Sequence, residues 1–150
     1  MAHRFTSLYT HLIFSTKDRV PFLDTELAPE CRAFIGGIVK NIGGRRIEIG
    51  GVADHIHLLL DMSATMALSD CVRTIKSNSS KWVHETWSRR SKFHWQQGYA
   101  AFSVSRSAVD RVITYIRSQE KHHRYVSYQD EVRQFLKQHG MEYDERYMWE

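Results

Sequence analysis

Residues 46–61, RIEIGGVADHIHLLLD, decide how this chain folds. Arg46 to Val52 reads as one strand and His55 to Asp61 as the next. Between them only Ala53 and Asp54 are left to turn the chain, so the two strands form an antiparallel hairpin, although no Asn-Gly turn marks it. Side chains alternate faces along a strand, so His55 and His57 project from the same face while Ile56 turns to the other. Leu58, Leu59 and Leu60 then anchor the strand in packed surroundings and hold both imidazoles in place.

Upstream, Phe5 to Ser15 reads as a first strand. Thr6, Leu8, Thr10, Leu12 and Phe14 lie on one face, and Phe5, Ser7, Tyr9, His11 and Ile13 on the other. Both faces carry large side chains, which predicts a strand inside a sheet covered on both sides. Helical periodicity runs from about Asp24 to Asn41 through Leu27, Cys31, Phe34, Ile35 and Ile38, with Pro29 early in the helix and Gly43-Gly44 after it. A second helix spans about Thr65 to Trp87 on Leu68, Cys71, Val72 and Ile75. Phe93 to Val104 predicts two short strands separated by a bend at Gly98. Ser107 and Asp110 resemble a capping box opening a helix over about 107–123, striped by Val109, Val112, Ile113 and Ile116. A last helix covers Tyr128 to Gln138 and stops at Gly140, and the aromatic tail Tyr143 to Glu150 is expected to dock on the body or on a partner. The order strand-helix-strand-strand-helix-strand predicts an α+β fold: a ferredoxin-like split α/β sandwich with a mainly antiparallel sheet and additional C-terminal helices.

A length of 150 residues suits one domain over 1–150, and 42% hydrophobic residues argue against wholesale disorder. Twenty-one Lys and Arg against seventeen Asp and Glu give a net charge of +4, a field only mildly attractive to a polyanion. The arrangement says more. Arg45 and Arg46 sit by a turn, Arg73, Lys76 and Lys81 lie on one helical segment, and Arg89, Arg90 and Lys92 follow it, whereas acidic residues gather from Glu131 to Glu150. Cys31 and Cys71 have no metal-ligand spacing and read as buried thiols in a reducing compartment. With no secretory signal pattern and no stretch of membrane-spanning length, cytoplasmic residence without a membrane partner is the default expectation.

The candidate chemistry lies in two places. His55 and His57 can reach one metal ion, with Asp54 able to orient the turn or assist from behind and His11 able to approach if the first strand is a neighbour. On the later helix Tyr115 and Gln119 stand one turn apart, so a phenol can approach an electrophile while the adjacent amide oxygen coordinates the same metal. Protonated tyrosine is a poor nucleophile, and a divalent cation that polarises a phosphoryl group answers that need. Two histidines and an amide accommodate Mg2+ or Mn2+, with Mn2+ the easier partner for imidazole. His122 and His123 lie close enough to Gln119 to replace or support it; the preferred reading leaves them facing solvent or phosphate.

Four separated segments, YTHLIFSTKDR, GGVADHIHLLLDM, KFHWQQGYAAFSVS and YIRSQEKHHR, make the chain resemble the small tyrosine transposases of the IS200/IS605 insertion-sequence group, within the histidine-hydrophobic-histidine single-strand nucleases. The resemblance implies a DNA endonuclease and strand transferase in which His55, His57 and Gln119 hold the metal and Tyr115 is the nucleophile. Tyr115 would cut single-stranded DNA at insertion-sequence ends through a 5′-phosphotyrosine linkage, and a 3′-OH from another end would rejoin it. It also implies recognition of hairpins near element ends and a homodimer whose tyrosine helices can exchange, with a hinge near Ser103 to Ser107. Arg45, Arg46, Arg73, Lys76, Lys81, Arg89, Arg90 and Lys92 are candidate phosphate contacts, and Trp82, Trp87 or Trp95 candidate base-stacking platforms. Two rival readings remain: a domesticated relative that processes repetitive hairpins, and a catalytically silent hairpin-binding protein.

Overall fold

The computed structural model describes residues 4–149. Four strands, β1 (Tyr9–Ser15), β2 (Arg45–Val52), β3 (His55–Asp61) and β4 (Ala100–Ser103), form one sheet in the order β2-β3-β1-β4. Every pairing is antiparallel. Helices α1 (Leu27–Asn41) and α2 (Leu68–Thr86) complete the βαββαβ unit, and α3 (Val109–Arg117), α4 (Gln119–His122) and α5 (Tyr128–Gln138) follow it. This is the ferredoxin-like α+β arrangement expected from the element order. No helix among the described residues is long and apolar enough to cross a membrane.

The two-residue period of the strands sorts their side chains between two layers. Leu12 and Phe14 of β1 and Ile56, Leu58 and Leu60 of β3 join Cys31, Ile35, Cys71, Val72 and Ile75 in the main core beneath α1 and α2. The opposite face carries Leu59 against Val109 and Ile116 of α3, and Ile13 against Val132 and Leu136 of α5. His11, His55 and His57 belong to that second face and are at most 2% exposed. Both cysteines are free and buried, in accord with the sequence reading.

Glycines let the helices approach this second face. Gly50 pairs with His57 in the β2-β3 ladder, and a Cβ there would sit 2.8 Å from Ile116 Cγ2 and 2.9 Å from the Ile116 carbonyl oxygen. Next to it, Gly51 has φ +148° and no room for a side chain beside the His55 carbonyl.

Several boundaries differ from the sequence reading. The first strand begins at Tyr9 rather than Phe5, whose side chain is almost fully exposed. The 93–104 segment contributes one isolated bridge, Thr16 to Trp95, and the four-residue β4. No capping box forms at Ser107: α3 is entered from a 3-10 turn at Arg106–Ala108, and Ser107 Oγ lies 3.1 Å from Ser105 Oγ instead of capping the helix. The helix expected over 107–123 is interrupted at Ser118, because the Tyr115 carbonyl is claimed by Ser118 Oγ (3.0 Å), the Ser118 amide (3.2 Å) and Gln119 Nε2 (3.2 Å). The tail docks on the body. Arg133 of α5 holds Glu145 at 2.6 Å and lies over the Trp149 ring, while Met148 and Trp149 pack against the Ile13 cluster. Glu150, the end of that expected tail, lies outside the described residues.

Candidate active site

The hairpin presents the paired histidines. β3 is flanked on both sides, by β2 and β1, so its backbone is fixed, and His55 and His57 rise from it toward α4 and α5. Beside them on β1, His11 stands opposite Leu59, which makes His57 its diagonal neighbour, and His11 Nε2 lies 2.8 Å from His57 Nδ1. His11, read from the sequence as able to approach if the first strand is a neighbour, lies on that neighbouring strand. Asp54, expected to orient the turn or to assist, receives a hydrogen bond from His55 Nδ1 at 2.7 Å.

The break at Ser118 repositions everything after it. His123, expected on solvent or phosphate, instead swings inward: its Nε2 lies 3.0 Å from His55 Nε2, and its Nδ1 donates to the Val126 carbonyl at 2.6 Å. Gln119 is buried, with Oε1 2.8 Å from His123 Nε2. The amide thus meets the histidine cluster through His123. His122 faces the phenol, 3.4 Å from Tyr115 Oη.

Glu131 completes the site, and the sequence reading missed it. Its residue is fully buried, and Oε1 lies 2.9 Å from His57 Nε2, 3.1 Å from His123 Nε2 and 3.4 Å from His55 Nε2. The other oxygen, Oε2, accepts the hydrogen bond of the Tyr115 hydroxyl. A signal was present: Tyr128, Glu131, Val132, Phe135 and Leu136 follow the helical stripe of α5, so Glu131 occupies a core-facing position. An acid there is rarely buried without partners.

Protonation follows from these contacts. Burial lowers the pKa of His11 to about 3, aided by neighbouring His57, so this imidazole is neutral. Burial also lowers His57, against the pull of Glu131. In His55 burial acts downward too, but the hydrogen bonds to Asp54 and Glu131 prevail and raise its pKa. Burial works to raise Glu131, yet hydrogen bonds from His123, His55 and His57 hold it well below the usual carboxylate range. Tyr115 is pushed well above the ordinary phenol range, first by burial and then by the Glu131 charge.

The donor set fits a divalent cation. His55 and His123 each spend the Nδ1 hydrogen on an oxygen, so in their neutral forms both Nε2 lone pairs face one another, with Gln119 Oε1 and Glu131 Oε1 beside them. In that protonation state the converging acceptors can coordinate a divalent cation. The candidate ligand atoms of His55, His57, His123 and Glu131 all lie within 4.8 Å of one another. Ligands at right angles around an ion ~2.1 Å away stand roughly 3.0 Å apart, close to the contacts seen here.

The expected DNA contacts are mostly tied within the chain. Arg45 pairs with Asp61, Arg73 with Asp70, Lys81 with Glu85, and Arg90 with Asp24. Arg46 lies across Gly36 of α1. Lys76 donates to the carbonyls of Gln96, Gln97 and Gly98, and burial lowers its pKa to about 8. Arg89 and Lys92 line an open cleft beside Trp87. Trp95 is a core residue, edge-on to Phe14 and Phe93, Trp82 stacks on Phe34, and the Trp87 ring lies under Arg90.

Residues 4–119 match the family described as transposase IS200 like. The ISDra2 transposase TnpA of Deinococcus radiodurans is 27% identical over 114 residues, covering 73% of this chain and 81% of that protein. Two solved structures share the fold. A transposase candidate from Deinococcus radiodurans R1 aligns with a TM-score of 0.64 at 22% identity, over 79% of this chain and 95% of that one. A REP-associated tyrosine transposase bound to a REP hairpin aligns with a TM-score of 0.61 at 14% identity, over 84% and 76%. His123 and Glu131 both lie beyond the family-matched residues.

Proposed function

The chain belongs to the IS200-like transposase family, and from that membership we propose that it cuts and rejoins single-stranded DNA at hairpin-bearing element ends with Tyr115 as nucleophile. One observation carries this reading: a phenol hydroxyl shares a buried carboxylate with three imidazole nitrogens that converge on one point. The whole of 1–150 then serves as one single-strand DNA transposase domain.

His55, His57 and His123, with Glu131 or Gln119, would hold Mn2+ or Mg2+, and the imidazole-rich set favours Mn2+. When bound, the cation supplies charge that polarises the scissile phosphate. Asp54 and the Val126 carbonyl fix the rings of His55 and His123, and His11 fixes His57, so that Nε2 of each points inward. Glu131 Oε2 orients the Tyr115 hydroxyl, whose proton passes to solvent as Oη bonds to phosphorus. The bond to the 3′-oxygen breaks, leaving a 5′-phosphotyrosine linkage and a 3′-OH. Attack by a second 3′-OH on the same phosphorus returns the phenol and joins the strands. His122, 3.4 Å from the phenol, would donate to a phosphate oxygen. In the homodimer read from the family resemblance, the segment around Ser103 to Ser107 would let tyrosine helices exchange.

The test incubates the protein with single-stranded hairpin DNA and Mn2+ and measures a covalent protein-DNA adduct. Y115F is expected to bind DNA and form none, and H55A and H57A to lose metal-dependent cleavage. Comparing Q119A with H123A identifies which group is the third ligand. Adduct formation by Y115F at the wild-type rate sinks the proposal.

A further inference from the structure

A cleft of about 390 Å³ opens between α3 and α5, and Tyr115 forms part of its wall. Its volume is that of a site for one small organic group. Arg111 precedes Tyr115 by four residues on α3, so the two side chains lie on one side of that helix. Across the cleft, Glu131, Gln134 and Gln138 are spaced three and four residues apart on α5, a row that begins at the carboxylate holding the Tyr115 hydroxyl. Arg117 and Arg133 on these helices are tied to Glu48 and Glu145. Arg111, Gln134 and Gln138 make no such side-chain contact among the described residues and remain exposed to the cleft.

We propose that this cleft is the subsite for one unpaired nucleotide adjoining the scissile phosphate, with Arg111 on its phosphate and the Gln134 and Gln138 amides on its base. The inference rests on Tyr115 being the attacking group. A primary amide offers a donor and an acceptor side by side, which match N6 and N7 of adenine, so adenine is the preferred base. Phosphate contact by Arg111 is indifferent to sequence and supplies affinity. Gln134 and Gln138 lie outside the family-matched residues 4–119, so base choice here belongs to this chain's own C-terminal helix.

The test measures binding of fluorescently labelled single-stranded dA12 and dT12 to the full-length Y115F protein by anisotropy at low salt. Y115F is expected to prefer dA12 by roughly tenfold, the scale of one bidentate base contact. Adding Q134A and Q138A abolishes that preference while R111A weakens both oligonucleotides alike. Equal binding of dA12 and dT12 by Y115F, or an undiminished preference after the two glutamines are replaced, overturns the subsite. This readout needs no cleavage. Absence of an adduct from the wild-type protein would count against Tyr115 as nucleophile, whereas equal binding of dA12 and dT12 by Y115F, with adducts still formed by the wild type, would count against the subsite alone.

Discussion

Replacing Gly50 by alanine tests how the sheet positions the nucleophile. The added carbon would lie 2.8 Å from Ile116 Cγ2 and 2.9 Å from the Ile116 backbone oxygen. Carbon atoms pack at about 3.5–4.0 Å, so the shortfall is roughly 1 Å. A methyl group can rotate away, but the backbone oxygen moves only with α3. Overpacking of this kind costs about 1–3 kcal/mol. Ile116 is the residue after Tyr115, and Gly50 faces His57 in the ladder, so the same displacement separates phenol from histidines. A misplacement of about 1 Å costs on the order of a hundredfold in rate. Denaturant unfolding and the rate of covalent adduct formation read the two effects separately. Gly37→Ala is the control: a Cβ there meets nothing within 4 Å, and on a helix the change is expected to stabilise by up to about 1 kcal/mol. Wild-type stability in G50A would refute the close approach, and a destabilised G50A with a wild-type adduct rate would refute the link to Tyr115.

Mn2+ at a hundredfold excess over its dissociation constant should stabilise the fold by about 2.7 kcal/mol. That corresponds to a rise in Tm of roughly 5–10 °C for a domain of this size, and H55A/H57A should abolish it; an equal rise in that variant would exclude the histidine site. Buried His11 takes a proton in the folded state only near pH 3, whereas the unfolded chain takes it near 6.5. The unfolded state therefore binds more protons between these values, and stability should fall as pH drops from 6.5 toward 3. In H11N, which carries the same carboxylates as the wild type, the slope between pH 6.5 and 4.5 should be shallower; an unchanged slope would contradict burial of a neutral His11. Burial raises Cys31 to about 12 and Cys71 to about 11, so an aromatic disulfide reagent at pH 8 should label neither thiol until denaturant is added. Prompt labelling of either in the folded protein would contradict the packed core.

The sequence by itself determined the β2-β3 hairpin and the histidine pair, because both depend on the two-residue period of a strand. His55-Ile56-His57 cannot fold as a strand without placing both imidazoles on one face, and β3 spans the residues expected from the pattern. Helical period located α1, α2 and α5 in the same way, with ends shifted by a few residues where capping and turns decide. Tertiary structure alone decided the rest of the site. The break at Ser118 arises from competition for one carbonyl, which no periodicity encodes, and it brings His123 to the cluster instead of leaving it on the surface. Glu131 stands 74 residues after His57, and only the docking of α5 across the second face of the sheet joins them. The sheet's own chemistry was local and legible, whereas the carboxylate that links the histidines to Tyr115 belongs to a long-range contact between layers.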